Sequence, residues 1–348
     1  MPRLRRIDCS GPGILRRRRG RGFEYLDYAG NRIDDGEVLL RIKQLGIPPA
    51  WRDVWVCPHP NGHLQAVGTD AAGRRQYIYH LSWRARRDQE KFDHMLEFAR
   101  ALPAMRAVWA EHLKQPELSY ERVLACAARL LDRGFFRIGT EGYAEQNQTY
   151  GLATIQKRHV HLGESVLTFD YVAKSGKRRI QSIVDPDVFE VVGLLKRRRS
   201  GPSDLLAFKD GRVWRDVRSG DINEYIRDIA QDDFTAKDFR TWGATVLAAV
   251  GVAVSGEAKS KTARKRAITR AVQEVSHYLG NTPAVCRSSY IDPRVFDRYR
   301  SGWTISGALE HIGNVSAVGE PSTQGYVEEA VIDLIEERRD SEAVEKIA

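Results

Sequence analysis

Five polar residues with chemically active side chains lie in stretches whose pattern predicts ordered structure: Arg137, Lys174, Arg240, Asn281 and Tyr290. A guanidinium held inside an apolar frame, as in FFRI, needs an anionic partner. A second guanidinium, an ammonium and an amide could also bind an anion, and a phenol can act as an oxygen nucleophile. The set is therefore suited to chemistry on a negatively charged group.

Two of these residues lie in well-defined predicted elements. Gly176 allows a tight hairpin turn that presents Lys174 at its tip, and Arg240 follows Lys237 by three residues on one helix. Taken alone, a hairpin lysine is usually solvated, and a Lys/Arg pair at this spacing is usually a solvated helix face. An arginine such as Arg137 more often pairs with a carboxylate. Each residue thus has a structural interpretation beside the functional one.

A helix junction presents the other two. Gly280 ends one helix as a left-handed cap, and the threonine and proline at 282–283 open the next as its N-cap and first helical residue. Asn281 therefore lies close to a helix N-terminus, which is a natural anion site. Tyr290 follows about two turns later, although a tyrosine there could also be half-buried packing.

The chain lacks the usual signatures of nucleotide and metal chemistry. It contains no GxxxxGK[ST], HExxH, EF-hand or GxSxG pattern. Its cysteines (Cys9, Cys57, Cys126 and Cys286) are scattered without CxxC spacing, so we expect a reducing cytoplasm and neither a disulfide framework nor a zinc ribbon. We therefore expect no cofactor and no metal, and an enzyme that works with its side chains.

The charge of the chain is unevenly distributed. The 348 residues include 55 Lys and Arg against 46 Asp and Glu, a net charge of +9. Residues 318–348 contain nine acids and three bases, a charge of −6, so residues 1–317 carry +15. This excess of positive charge in residues 1–317, here called the body of the chain, favours a polyanionic partner, most simply nucleic acid. A high net charge can also serve only to keep a protein soluble. No apolar run approaches the roughly 18 residues of a membrane span, so we expect no membrane partner.

The elements that must position these residues divide the chain in two. Residues 1–22 hold eight arginines and one acid and predict a flexible basic arm. Aromatic and β-branched runs over 23–82 predict a small antiparallel sheet with one or two short helices. From about residue 84 the spacing of apolar residues becomes helical. We therefore predict an α+β chain, with a β-rich domain at 1–88 and a larger, mainly α domain at 89–348.

Three strand-like runs in the second domain, RHVHL, SVLTFDYV and RRIQSIV, predict an antiparallel meander. After Pro186 the chain is predicted to be helical to its end, with breaks that include GVAVSGEAKSKTARKR. We expect the basic residues 259–266 of that break to contact phosphate and to be mobile without the partner. An apolar stripe predicts an acidic helix at 324–346, which either docks on the domain or screens a basic cleft.

The types and order of these residues resemble those of the type IB DNA topoisomerases, in particular the compact poxvirus-like and bacterial branch. The resemblance runs from GRRQYIY near residue 73 to the segment near 292. It rests on RIG…Y…N.T.GL.T, a strand-borne lysine with a downstream glycine, K..R.W and TPA…SY. It implies a β-rich N-terminal domain and a larger, mainly α catalytic domain, which close as a C-shaped clamp on duplex DNA.

The resemblance also implies roles in a transesterification. Tyr290 would attack a backbone phosphorus and form a 3′-phosphotyrosyl intermediate, and Lys174 would give a proton to the leaving 5′ oxygen. Arg137, Arg240 and Asn281 would stabilise the charge on the non-bridging oxygens, with Asn281 standing where many relatives have a histidine. The duplex would swivel while one strand is open and lose supercoils, without ATP or metal.

We expect DNA contacts from a basic and aromatic set: Arg74, Arg75, Gln76, Tyr77, Tyr79, Thr140, Tyr143 and Lys237. Thr140 stands where the poxvirus form tends to have a lysine. The arginines would contact phosphates, and the glutamine and tyrosines of the first group would reach base edges or sugars. The implied protein is a cytoplasmic, nucleoid-associated monomer that acts on duplex DNA.

Two other interpretations stay open. Tyrosine recombinases use the same kind of Arg/Lys/Arg/Tyr chemistry, but they usually show HxxR, where this chain has Lys237-Asp238-Phe239-Arg240. They also usually carry an all-helical DNA-binding arm, whereas the N-terminal part of this chain is predicted to be β-rich. A non-enzymatic architectural DNA-binding protein would need the basic surface but not Tyr290.

Overall fold

The computed structural model describes residues 3–256, 260–309 and 323–347. It contains two compact units, Met1–Asp93 and His94–Ala348. The division falls inside the long helix α2, Leu81–Leu113. The fold is mixed, with a β-rich first unit and a mainly helical second unit that holds a three-stranded sheet. The predicted α+β class is confirmed.

The first unit is built on a five-stranded antiparallel sheet in the order β2-β1-β3-β4-β5. Its elements are β1 Ile14–Arg19, β2 Gly22–Leu26, α1 Gly36–Gln44, β3 Arg52–Val56, β4 Leu64–Thr69 and β5 Arg75–Tyr79. The side chain of Asp35 caps α1 by accepting the N–H groups of Glu37 and Val38. Ile42 of α1 is buried against Val54 and Val56 of β3, so the helix and the sheet share one core.

The predicted flexible arm at 1–22 is wrong from Ile14 onward. The arginine run lies in β1 and forms a hairpin with β2, in which Gly20 takes the left-handed turn position at φ 56°. Arg16 donates to the carbonyls of Pro48 at 3.2 Å and Trp51 at 2.6 Å. Strand pairing uses backbone groups, and long arginine stems can lie along apolar surface, so a basic run is compatible with a strand.

The second unit surrounds α3 and α7, which pack against each other. Its elements after α2 are α3 Tyr120–Gly134, α4 Glu141–Asn147, β6 Val160–Leu162, β7 Leu167–Ala173, β8 Lys177–Ile183, α5 Pro186–Arg197, β9 Ala207–Asp210, β10 Val213–Asp216, α6 Ser219–Ala230, α7 Ala236–Val254, α8 Lys261–Leu279, α9 Pro283–Ser289, α10 Pro293–Arg300, β11 Trp303–Thr304, α11 Tyr326–Ile335 and β12 Glu345–Lys346. The predicted meander is confirmed as the antiparallel sheet β6-β7-β8. The hairpin β9-β10 lies at the break that KDGRVWRDVRSGD predicts, whereas the pair β11-β12 interrupts a region that the sequence predicts to be helical.

The predicted break at 251–266 is wrong at both ends. Helix α7 continues to Val254, and α8 begins at Lys261 with Ser260 as its N-cap. The basic residues from 261 onward therefore form the first turns of a helix, while residues 257–259 lie outside the described part of the chain. A serine cap and good helix formers outweigh the turn signals here.

The predicted helix at 324–346 is too long. Helix α11 ends at Ile335, Glu337 adopts a left-handed φ of 61°, and the chain then returns so that β12 pairs with β11. The apolar stripe does dock on the unit, since Val327, Ala330, Val331, Leu334 and Ile335 are buried while Tyr326 is 41% exposed. Carboxylates of this segment pair with Arg100, Arg106 and Arg298.

Candidate active site

Tyr290 is held at the end of the short helix α9. Gly280 closes α8 with φ 63°, and the hydroxyl of Thr282 accepts the N–H of Val285 at 3.3 Å to open α9. The Tyr290 N–H donates to the carbonyl of Cys286 at 3.0 Å. The local sequence predicts this junction, because the cap residues lie next to the turn that they form.

The backbone of the tyrosine is also tied to α7 through Thr245, which the sequence analysis missed. The buried Thr245 hydroxyl accepts the Asp292 N–H at 3.1 Å and lies 3.3 Å from the carbonyl oxygen of Tyr290. Thr245 is on α7, one turn beyond Arg240. The contact therefore fixes the tyrosine relative to that arginine, and no pattern in the sequence signals a link between positions 45 residues apart.

Arg240 lies under the tyrosine ring and is 4% exposed. Its guanidinium carbon is 5.3 Å from the ring centroid of Tyr290. Nη2 donates to the carbonyl of Leu279 at 3.0 Å and Nη1 to the carbonyl of Phe135. Among the described residues no carboxylate pairs with this arginine, so its positive charge is not neutralised inside the site.

Arg137 lies in the loop after α3, and its side chain extends to the same helix junction that carries Asn281. Its Nη2 donates to the carbonyl of Gly280 at 3.1 Å and to Oδ1 of Asn281. A clasp of two glycines holds the loop, because a Cβ on Gly139 would meet the backbone of Gly151 at 2.6 Å. The expected anionic partner is absent among the described residues, where Arg137 has carbonyl and amide partners only.

Two buried donors of this cluster lack a hydrogen-bond partner among the described residues: Nε of Arg240 and Nδ2 of Asn281. An unpaired buried donor costs about 1–3 kcal/mol, and sites that bind ligands are a common reason for such groups. Since both groups are donors and lie beside Tyr290, they suit a ligand that brings acceptor oxygens.

The electrostatics favour the ionised tyrosine. Burial raises the pKa of Tyr290, but the nearby charges of Arg240 and Arg137 and the nearby Asn281 amide outweigh it, so the pKa lies below the ordinary value of 10.0. Burial, followed by the like charge of Arg137, lowers the pKa of Arg240 to about 10. Burial likewise lowers the pKa of Arg137, and the like charge of Arg179 adds to that shift.

Arg179, on β8, is a member of the cluster that the sequence analysis did not single out. It donates to the last carbonyls of α8, those of His277 at 3.0 Å and Tyr278 at 2.5 Å, directly before the turn at Gly280. It thereby joins the meander to the helix junction that carries Asn281. In the sequence, the only sign of a function for this arginine is its place in a basic predicted strand. Its neighbours in RRIQSIV lie in the same strand, so this sign does not single it out.

Lys174 is not brought into contact with the other four residues. It begins the one-turn connection between β7 and β8, in which Ser175 and Gly176 adopt φ values of 66° and 70°. Its side chain is exposed, and no hydrogen bond or ion pair joins it to the described residues. Its expected place at the hairpin tip therefore holds, while its role as a proton donor stays a prediction.

The residues predicted to contact DNA fall into two groups. On β5, an edge strand, Arg75 and both tyrosines are exposed on one face, and the rings of Tyr77 and Tyr79 stack with centroids 6.1 Å apart. Arg74 and Gln76 bind the carboxylate of Asp70, each at 2.9 Å. In the second unit Thr140, Tyr143 and Lys237 are all exposed.

The described residues show neither a metal cluster nor a membrane helix. No group of three or more His, Cys, Asp and Glu side chains in that part of the chain could hold a metal ion. In the same residues no helix is both long and apolar enough to cross a bilayer. All four cysteines are free thiols.

Comparison with known proteins gives two family matches along the chain. Residues 80–309 match the family described as eukaryotic DNA topoisomerase I, catalytic core. Residues 22–70 match the family described as bacterial DNA topoisomerase IB, N-terminal domain. The two matches follow the order of the β-rich and the mainly helical parts of the chain.

Individual proteins agree with these matches. DNA topoisomerase 1B of Acanthamoeba polyphaga mimivirus is 29% identical over 83% of this chain and 88% of its own length. DNA topoisomerase I of monkeypox virus is 23% identical over 80% of this chain and 87% of its own. Since the catalytic-core family covers more than half of the chain and the viral relatives cover most of it, the chain belongs to the type IB DNA topoisomerase family.

Proposed function

We propose that this chain relaxes supercoiled duplex DNA by opening one strand at a time through a covalent tyrosyl intermediate. Tyr290 attacks a backbone phosphorus, a bond forms from its phenol oxygen to phosphorus, and the bond to the 5′ oxygen breaks. The strand is then held as a 3′-phosphotyrosyl ester while the duplex swivels. Attack by the 5′ hydroxyl reverses the step and frees the enzyme.

The observation that carries this proposal is the pairing of Tyr290 with two arginines that have no carboxylate partner among the described residues. Arg240 lies under its ring, and Arg137 approaches through Asn281. A phosphate oxygen placed there would meet two guanidinium groups and the two unpaired donors. Charge-assisted hydrogen bonds of this kind stabilise a five-coordinate phosphorus more than the ground state.

The proposed reaction requires one side chain to lose a proton and another to donate one. The lowered pKa of Tyr290 favours the phenolate needed for attack. The leaving 5′ alkoxide needs a proton, and we assign its donation to Lys174, which the hairpin turn presents on its exposed tip. A positioned general acid contributes about 10²–10⁴-fold to the rate. Since the ester keeps the energy of the phosphodiester bond, the cycle needs no ATP, and the cationic side chains supply the charge that a metal would bring.

Binding of the duplex is assigned to both units. The exposed row on β5, with Arg75 and its two stacked tyrosines, is proposed to meet a groove and its phosphates. In the second unit Thr140, Tyr143 and Lys237 are proposed to contact the DNA on the side of the site. We further propose that residues 1–88 and 89–348 act as a clamp and that the protein works as a nucleoid-associated cytoplasmic monomer.

A plasmid relaxation assay tests the proposal. The purified protein is incubated with supercoiled plasmid in EDTA and without ATP, and the Tyr290→Phe variant is run beside it. We expect relaxation by the wild-type protein and a loss of at least ~10³-fold in the variant, since the nucleophile is absent. Tyr326→Phe is the matched control, because it removes a tyrosine hydroxyl from a 41% exposed position on α11.

The other outcomes of the assay separate the competing functions. Relaxation that persists in Tyr290→Phe contradicts the assigned nucleophile. DNA binding without relaxation by either protein points to an architectural protein. Strand exchange between two defined sites, without relaxation of a plasmid that lacks them, favours a recombinase.

A further inference from the structure

A buried carboxylate on the C-terminal helix lies in a dense hydrogen-bond network. Glu328, on α11, accepts the indole N–H of Trp242 at 2.8 Å and Arg106 Nη2 at 2.9 Å on Oε1. On Oε2 it accepts Arg106 Nη1 at 2.5 Å and the N–H of Gly325 at 3.1 Å. The side chain is only slightly exposed, so this one group satisfies donors from α2, α7 and its own helix.

Arg106 extends the network to α3. Its Nε and Nη2 each donate to a carboxylate oxygen of Asp132 at 2.9 Å, and Gln324 donates to Asp132 at 2.9 Å. Burial alone would lower the pKa of Arg106, but its hydrogen bonds and ion pairs with Glu328 and Asp132 raise it. The guanidinium is therefore paired with two carboxylates, in contrast to the two arginines of the active site.

Two short paths lead from this network to Arg240. Trp242 follows Arg240 by two residues on α7. Asp132 precedes Phe135 by three residues, and the carbonyl of Phe135 accepts Nη1 of Arg240. The ring of Phe135 also lies against α7, since a Cβ on Gly243 would be 2.6 Å from it.

We propose that Glu328 is a positioning residue for Arg240. Glu328 bonds Trp242 on α7 directly, and it reaches the end of α3 through Arg106. It therefore holds both the helix that carries Arg240 and the backbone carbonyl that accepts a hydrogen bond from Arg240. Arg240 has only backbone carbonyls as hydrogen-bond acceptors and an unpaired Nε, so its direction depends on where those two segments lie. Helix α11 thus forms part of the catalytic architecture although it touches no reacting atom. This inference rests on the proposed function.

The test uses conservative variants of the full chain. Trp242→Phe removes the indole N–H and keeps a ring, and Glu328→Gln removes the charge and keeps an acceptor. Glu329→Gln is the matched control, because it makes the same change at an exposed position one residue away. For each protein we measure single-turnover cleavage of a duplex oligonucleotide against pH, the Kd for the same duplex, and the Tm.

We expect Trp242→Phe and Glu328→Gln to cleave about 10-fold more slowly, since small displacements of a catalytic group cost up to about 10²-fold. The Kd should stay within about twofold. The charges nearest Tyr290 are those of Arg240 and Arg137, with Arg179 behind them. A displaced Arg240 lowers the pKa of Tyr290 less, so the rising limb of the rate should move to higher pH. Glu329→Gln should match the wild-type protein in all three measurements.

A double variant distinguishes a loss of Arg240 positioning from a general loss of structure. If Trp242 acts through Arg240, then Arg240→Lys combined with Trp242→Phe cleaves no more slowly than Arg240→Lys alone. Wild-type rates in both network variants overturn the inference, as does a slow Trp242→Phe enzyme with an unshifted pH profile. Where Glu328→Gln fails to fold, Trp242→Phe alone decides. The proposed function itself is tested separately, and it fails if the wild-type protein does not relax plasmid or if Tyr290→Phe still does.

Discussion

At the scale of single residues, the proposed active site is marked by two arginines that have no carboxylate partner among the described residues. Several arginines of the second unit have carboxylate partners, such as Arg106 with Asp132 and Glu328. Arg137 and Arg240 have only carbonyl and amide partners among the described residues. Burying such groups without a counter-ion is unfavourable. In the proposed mechanism a bound phosphate offsets this cost, which would make these positions sensitive to any added negative charge.

Substitution of Asn281 tests this balance. Asn281→Ala removes one donor and should slow single-turnover cleavage by about 10-fold. Asn281→Asp keeps the shape but adds a carboxylate beside Arg137, which would neutralise that arginine and repel the phosphate. We therefore expect a loss of at least ~100-fold for Asn281→Asp. An aspartate variant that cleaves as fast as the alanine variant would contradict the assigned role of the unpaired charge.

At the scale of elements, the position of Arg137 depends on the loop between α3 and α4. Gly139 adopts φ 74° and meets Gly151 at a distance that no side chain allows. The N–H of Leu152 donates to the carbonyl of Arg137 at 2.8 Å, which ties this loop to the segment that follows α4. The close approach of two glycines is thus what sets the direction of Arg137.

Two glycine substitutions on neighbouring segments test the clasp. Gly139→Ala should lower the free energy of unfolding by about 2–4 kcal/mol, since a Cβ there clashes with backbone at a positive φ. Cleavage should slow as Arg137 moves. Gly142→Ala, in α4 with open space around its Cα, should be neutral or slightly stabilising. Chemical denaturation and the cleavage assay measure both effects, and equal behaviour of the two variants would rule out the clasp.

At the scale of the whole molecule, the charge is divided between a body of +15 and a tail of −6. Described tail carboxylates pair with Arg100, Arg106 and Arg298 and not with Arg137 or Arg240. The positioning role proposed for Glu328 would therefore act through packing and hydrogen bonds and not through direct pairing of the tail with the site arginines. The exposed arginines and lysines of the body remain to attract DNA.

The salt dependence of binding should report this surface. We expect the affinity for duplex DNA to fall by about 10³-fold or more between 50 and 200 mM NaCl, as for a protein with six or more phosphate contacts. Lys237→Ala should reduce the slope of log K against log salt by about one. Lys114→Ala is the control, because Lys114 is already paired with Glu111 at 2.8 Å. A flat response would contradict a binding surface built on phosphates.

The sequence by itself determined what depends on neighbours along the chain. The cap at Gly280, the N-cap at Thr282 and the hairpin at Lys174 were predictable because a few adjacent residues dictate each backbone conformation. Periodicity predicted the α+β class and the three-stranded meander for the same reason. The order of the motifs along the chain indicates the family without any knowledge of tertiary contacts.

Only the tertiary structure decided which distant groups meet. It placed the arginine run of β1 in a sheet, ended α11 at Ile335, and brought Arg179 and Thr245 to the proposed active site. It also showed that Lys174 stays apart from the other four residues. These features depend on packing and hydrogen bonds between segments far apart in the sequence, where local propensity is too weak to decide and burial of the whole core selects the arrangement.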